Sequence, residues 1–200
     1  MKHLFTALFL SLAACSGPKE KESAPASAET SEVKDAPRII ADQSSPDSLK
    51  GSLRAMAEGA IGSAKVTVQY HSPAVRGRII WGGLVPNNQV WVTGAHMATS
   101  VEFSQDVTIA GKLVAAGKYG FFTIPGEEAW TLIINQDWDQ HLADEYDEKK
   151  DVVRYTTNPS RRDILQERLQ YTIVPDDASS GRLVVRWDKL EVALPIRVGR

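Results

Sequence analysis

Residues 65–70 read Lys-Val-Thr-Val-Gln-Tyr, and this stretch decides the fold class. Val66, Val68 and Tyr70 alternate with polar residues, and a period of two is typical of a strand with one buried face. β-Rich runs of similar length follow at residues 78–81, 89–93, 100–103, 107–109, 118–124, 130–135, 152–156, 169–174, 182–187 and 190–198. The chain is therefore predicted to consist mainly of short strands.

Turn residues separate nearly all of these runs, as at Pro86-Asn87-Asn88 and at Pro125-Gly126. The intervals are too short for the crossover helices that a parallel sheet requires, so the strands are predicted to pair antiparallel. The predicted fold class is all-β: an antiparallel β-sandwich, with a jelly-roll or barrel-like arrangement as the alternative.

One short N-terminal helix is predicted ahead of the strands. Ser45-Pro46 suits an N-cap followed by proline at the first helical position. Apolar residues then recur on one helical face until two glycines intervene. These apolar residues are Leu49, Leu53, Met56 and Ala60.

Residues 1–14 are predicted to be a lipoprotein signal peptide. Lys2 and His3 form a short positive region, and the apolar core at residues 4–12 is far shorter than the roughly 20 residues of a membrane-spanning helix. The next stretch, Leu12-Ala13-Ala14-Cys15, looks like a lipobox, in which the cysteine thiol takes a diacylglycerol before cleavage. Cys15 is therefore predicted to be the lipidation site. Acyl chains such as palmitate would then anchor the protein to a membrane of the bacterial cell envelope, on the periplasmic or outer-membrane face.

Residues 15–45 are predicted to be the lipidated cysteine and a disordered tether, because residues 16–44 contain no aromatic residue and are rich in Ser, Ala, Glu, Lys and Pro. One domain, at residues 46–200, follows. Cys15 is the only cysteine, so once it is lipidated no thiol remains for a disulfide or a nucleophile. A net charge of −2 argues against nucleic acid as a partner, and a monomer is expected by default.

A series of motifs runs in order through the strand region. They are Tyr70-His71-Ser72-Pro73, Arg76-Gly77-Arg78, Trp81-Gly82-Gly83-Leu84-Val85-Pro86, Val90-Trp91-Val92-Thr93-Gly94-Ala95, Phe103-Ser104-Gln105-Asp106-Val107 and Phe122-Thr123-Ile124-Pro125-Gly126. Over roughly residues 46–198 the chain resembles DUF2911, a family of uncharacterised bacterial proteins, many of them predicted envelope lipoproteins. The resemblance implies a domain and no activity.

This chain departs from one common form of that family, in which an Arg follows the Val-Trp pair and an Asn-Glu pair follows Gly-Ala. Val92, His96 and Met97 stand at those positions. A second form, with His after Gly-Ala and a Trp-x-x-His stretch like that from Trp138 to His141, is the closer match. A function that depends on the missing Arg, Asn and Glu is therefore not expected here.

Three histidines, His71, His96 and His141, fall within or beside these motifs and form a candidate metal site. Three imidazoles with one open position are a ligand set of catalytic zinc, so a divalent metal such as zinc is the cofactor considered. No short spacing ties any two of them together, so only the fold could bring them into one place. The alternative is that they are ordinary loop residues, with His96 hydrogen-bonded near the core.

Trp138, Arg76 and Arg78 are the candidate ligand-binding residues. Four of the five tryptophans lie in or beside strand-like runs, where a core role is expected, whereas Trp138 lies in an acidic loop and suits an exposed contact such as stacking on a sugar. The two arginines flank Gly77 and could pair with a carboxylate or phosphate of a ligand, or with an acid of the core.

The chain lacks G-x-S-x-G, P-loop and G-x-G-x-x-G motifs, so catalysis has no local signature. The leading prediction is an envelope-anchored lipoprotein whose domain is a binding or structural module for a small molecule, glycan or protein. A metal-dependent enzyme built on the three histidines, most simply a hydrolase, is the first alternative. A carbohydrate-binding module is the second.

Overall fold

The computed structural model describes residues 36–199. The predicted signal peptide, Cys15 and most of the predicted tether lie outside the described residues. Residues 36–199 form ten strands and one short 3-10 helix, Glu148–Lys150. The strands are β1 (Leu53–Ile61), β2 (Ala64–Ser72), β3 (Ser100–Phe103), β4 (Val107–Ile109), β5 (Lys112–Val114), β6 (Gly117–Ile124), β7 (Trp130–Asn135), β8 (Asp151–Thr157), β9 (Ser160–Pro175) and β10 (Ser180–Val198).

The strands form two antiparallel sheets, which confirms the predicted all-β sandwich. The larger sheet has the order β1-β2-β3-β6-β7-β8, and the smaller has the order β5-β4-β10-β9. Neither sheet closes on itself. No helix among residues 36–199 has the length and apolar character needed to cross a membrane.

The core lies between the sheets and follows the period of two. Along β2, Val66, Val68 and Tyr70 are buried, and the residues between them are more exposed. They pack with residues of β10 such as Leu183 and Trp187 in one continuous cluster. Burial of such apolar side chains is the main favourable contribution to folding.

The sequence boundaries of three strands were predicted correctly, those of β3, β4 and β7. Two predicted runs, at residues 78–81 and 89–93, form only isolated bridges, such as that between Trp91 and Thr123. These residues belong to a long segment, residues 73–99, that connects β2 to β3. This segment carries most of the motif residues and lines the candidate site described below.

The predicted N-terminal helix is wrong. Leu53–Ile61 forms β1 and pairs with β2 along its whole length. The inward positions of β1 are small, with Ala55 and Ala57 buried, and a Cβ at Gly59 would lie only 2.7 Å from Cβ of Ile173. Alanine and glycine are weak strand signals, so the period of two was hidden and a chance helical spacing prevailed.

Ordered structure also begins before the predicted domain boundary at residue 46. Residues 38–51, here called the strap, lie against β9. Arg168 on β9 is 1% exposed, and its guanidinium forms two hydrogen bonds to the Asp47 carboxylate, at 2.5 and 2.7 Å. Gln166 and Gln170 donate to the backbone oxygens of Ala41 and Ile40. Alternate polar side chains of β9 therefore fasten the strap to the domain.

Candidate functional site

Residues 91–99 form a loop with a fixed backbone at the centre of the candidate site. Two of its residues, Thr93 and His96, have φ values of 49° and 62°, in the left-handed region that costs an ordinary residue roughly 1–2 kcal/mol. The backbone oxygen of Thr93 accepts hydrogen bonds from the hydroxyls of Tyr171 at 2.7 Å and Thr99 at 3.1 Å. Buried contacts thus hold the loop in a conformation that it would not adopt alone.

Gly94 is required by the same packing. A Cβ at this position would lie 2.8 Å from Oγ1 of Thr99 and 3.3 Å from the backbone oxygen of His71. The indole Nε1–H of Trp91 also donates to the Gly94 oxygen at 3.1 Å. The Thr-Gly-Ala motif is therefore explained by close packing of this loop against β2.

The loop brings two of the three candidate metal ligands together. The rings of His71, on β2, and His96 meet edge to face with centroids 5.2 Å apart. Burial, with smaller effects from His96 and Arg54, lowers the pKa of His71, so this imidazole is neutral at neutral pH. The fold therefore places a neutral His71 directly beside His96.

His141 does not join this pair. Its backbone forms a bridge with Met97, but its ring is exposed and lies 3.3 Å from Asp144. Within residues 36–199, no group of three or more His, Cys, Asp or Glu side chains is arranged to hold a metal ion. The three-histidine hypothesis would require His141 to turn away from Asp144.

Two clefts open on either side of the histidine pair. The first, here called the arginine cleft, has a volume of about 560 Å³. Its lining includes Arg76, Arg78, Leu84, Trp91, His96 and Trp187. The second, here called the Trp138 cleft, has a volume of about 470 Å³. Its lining includes Gln69, His71, Ser100, Lys118, Trp138 and Asp139.

The cationic groups of the arginine cleft have no acidic partner in the described part of the chain. The Arg76 guanidinium donates to the backbone oxygen of Leu49 in the strap, and the Arg78 guanidinium donates to those of Ala74 and Val75. A core carboxylate, Glu167, contacts only the backbone N–H of Arg76. The side chains of these arginines therefore do not pair with a core acid, which was the alternative that the sequence left open.

The apolar wall of the arginine cleft is part of a tryptophan cluster. Trp91 and Trp187 stack with ring centroids 5.7 Å apart, and Trp81 contacts both of them and Trp130. Trp187 is almost fully buried, and its Nε1–H has no hydrogen-bond partner among residues 36–199. These four tryptophans have the core role expected of them, but sequence reasoning missed that two of them also line a cleft.

Trp138 is the tryptophan that lies outside the cluster. It is 36% exposed, and the ammonium of Lys118 lies 3.8 Å from its ring centroid. Lys118 is on β6 of the larger sheet, so the sheet positions the cation and the loop positions the ring. The expectation that Trp138 is more accessible than the other tryptophans agrees with this placement.

Comparison with known proteins identifies the family and no activity. A family model described as a protein of unknown function, DUF2911, matches residues 52–196. This match covers most of the chain, so the chain belongs to the DUF2911 family, as its motifs predicted. No curated protein and no solved structure matches it.

Proposed function

We propose that this DUF2911 protein is an envelope-anchored lipoprotein whose domain is a binding module. Its ligand, held in the arginine cleft, is a small molecule with an apolar body and one anionic group. The observation that carries the proposal is the pairing, in one cleft, of two arginines without carboxylate partners and a wall of indole rings.

The chemistry of the cleft selects such a ligand. Arg78 and Arg76 offer N–H groups to a carboxylate, sulfonate or phosphate, and hydrogen bonds to ionised groups are about twice as strong as neutral ones. Trp91 and the exposed Leu84 offer apolar surface to the rest of the ligand, and the buried Trp187 stacks against Trp91. A volume of about 560 Å³ is in the range of small-molecule sites.

The cleft is also largely preformed, which favours binding because little ordering is needed when the ligand enters. Residues 91–99 are held by buried hydroxyls, and the opposite side is bordered by the strap, which Arg168 fastens. Leu84 and Leu142 at the cleft are exposed apolar side chains that a bound ligand would cover.

The binding proposal is tested with anilinonaphthalene sulfonate, a dye that has an aromatic body and one sulfonate and that fluoresces when it leaves water. We expect saturable binding to the native domain. Leu84→Glu places a carboxylate at the cleft, where Leu84 is 46% exposed, and should weaken binding at least about tenfold through like-charge repulsion.

Leu113→Glu is the matched control, because Leu113 is 61% exposed on β5 and does not line the cleft. Its affinity for the dye should equal that of the wild type. Equal loss in both variants, or no loss in Leu84→Glu, would remove the arginine cleft as the site. Unchanged far-ultraviolet circular dichroism and unfolding midpoints would show that dye binding does not come from partly unfolded protein.

The anchor is tested separately at Cys15. The wild type should incorporate labelled palmitate and partition into the detergent phase, because two or three acyl chains give lasting membrane attachment. Cys15→Ala should lose both properties. Labelling that persists in Cys15→Ala would refute lipidation at this residue without affecting the cleft.

A further inference from the structure

A second cleft remains after the arginine cleft has been assigned. The Trp138 cleft lies on the other side of the histidine pair and differs in chemistry, since its lining is more polar than that of the arginine cleft. We propose that it is a binding site for an acidic saccharide, with the sugar ring on Trp138 and its carboxylate at Lys118. This inference goes beyond the proposed function, because it concerns a different cleft and a different ligand class.

The indole of Trp138 is a partly exposed stacking surface on which the flexible side chain of Lys118 rests. The four other tryptophans contact one another in a cluster, whereas the ring of Trp138 is met by the Lys118 ammonium at 3.8 Å. A cation–π contact at an exposed position is weak, so a ligand displaces the lysine at little cost. The apolar face of a pyranose ring, with its C–H groups, can then take the place of the lysine stem.

Lys118 gives the cleft its preference for an acid. Its cross-strand neighbour on β3 is Glu102, yet no carboxylate in residues 36–199 lies within ion-pair distance of its ammonium. The ammonium instead rests on the Trp138 ring. A sugar stacked on that ring brings a ring carboxylate close to this cation, where a charge-assisted hydrogen bond can form.

The hydroxyl groups of the saccharide can form hydrogen bonds with neutral side chains of the cleft and with Asp139. Gln69, on β2, offers both a donor and an acceptor, and the carboxylate of Asp139 accepts from hydroxyl groups. His71 reaches the same cleft, and as a neutral imidazole it also carries one donor and one acceptor. A polyhydroxylated ligand can therefore satisfy both its donors and its acceptors here.

Affinity electrophoresis of the folded protein in native gels tests the proposal. The gels contain polygalacturonate, which has both a sugar ring and a carboxylate, or dextran, which lacks the carboxylate, or polyglutamate, which lacks the sugar. We expect retardation by polygalacturonate alone. The net charge of −2 disfavours non-specific attraction to any polyanion.

Trp138→Ala and Lys118→Met should each reduce the retardation at least about tenfold in apparent affinity, whereas Lys112→Met on the exposed edge strand β5 should not change it. Lys118→Met removes the charge and keeps most of the unbranched side chain, so it tests the contact even if Trp138→Ala does not fold. Leu84→Glu should also bind normally, which separates this test from that of the arginine cleft.

Several results would overturn the inference. Absence of retardation in polygalacturonate would do so, as would equal retardation in polyglutamate, which would indicate charge alone. Equal retardation in dextran would show that the carboxylate is not recognised. Full retardation of folded Lys118→Met would remove the assigned contact.

Discussion

Asp47→Ala should destabilise the domain far more than loss of an ordinary surface carboxylate. Asp47 lies in the strap and accepts two hydrogen bonds from Arg168, whose guanidinium is buried. The same guanidinium donates to the backbone oxygens of Leu49, Gly51 and Ser72. Removal of the carboxylate leaves a buried cation whose remaining partners are neutral.

The magnitude follows from this burial. Breaking a buried ion pair by removing one partner costs about 3–5 kcal/mol. Asp47 itself keeps 26% of its side chain exposed, so water can replace part of its contribution, and the lower end of the range, about 3 kcal/mol, applies. For a domain of this size a loss of about 3 kcal/mol lowers the unfolding midpoint by about 6–12 °C.

The pH dependence has a definite sign. Hydrogen bonds from Arg168, with smaller contributions from Gln43 and Leu49, lower the pKa of Asp47 well below its usual range. Because the folded-state pKa lies below the unfolded value of about 3.9, the stabilisation is fully present above about pH 5 and is lost as the pH falls toward the folded-state pKa. The stability difference between wild type and Asp47→Ala should therefore shrink in acid.

Urea unfolding followed by circular dichroism, between pH 7 and pH 3, measures both effects. Asp144→Ala is the control, since Asp144 is 67% exposed and within residues 36–199 its carboxylate pairs only with His141. This substitution should change the free energy of unfolding by less than about 0.5 kcal/mol. If Asp47→Ala matches that control at pH 7, the strap is not held by the ion pair and the reasoning fails.

Three smaller changes probe the loop and the histidine pair. Tyr171→Phe should cost about 1 kcal/mol in urea unfolding, because the Thr93 oxygen loses a buried donor, and an unchanged midpoint would contradict the locked loop. His71→Gln should flatten the stability profile between pH 7 and 5: the lowered folded-state pKa means that the wild type loses stability as the pH falls below about 6.5, and an identical profile would count against this. His96→Gly should be more stable than His96→Ala by about 1 kcal/mol, since only glycine adopts a φ of 62° without strain, and the reverse order would argue against that backbone geometry.

The sequence predicted the sandwich because the evidence for it is local. Alternating apolar residues bounded by turn residues, as in residues 100–103 and 130–135, suffice to define a strand. β1 was not predicted as a strand because its inward residues are mostly Ala and Gly, which are weak strand signals. β9 was predicted only from residue 169 onward, because Gln166 and Arg168 read as polar surface although both are buried under the strap.

The candidate site was less predictable because it depends on contacts between distant parts of the chain. His71 and His96 are neighbours only because the loop at residues 91–99 folds back onto β2, and His141 turns to Asp144, a pairing set by the local loop geometry. Trp187 was predicted to be a core residue, and it is almost fully buried. That it also lines a cleft with Arg78 follows from the course of residues 73–99, which no local pattern encodes.

The most direct measurement of the central claim is the indole N–H region of a proton–nitrogen correlation spectrum during titration with a medium-chain fatty acid such as decanoate. The chain has five tryptophans, so five indole signals are expected. The signals of Trp91 and Trp187, which line the arginine cleft, should shift progressively and saturate, while that of Trp138 stays in place. Saturable shifts confined to Trp138, or no shift in any indole signal, would contradict binding of an amphipathic anion in the arginine cleft.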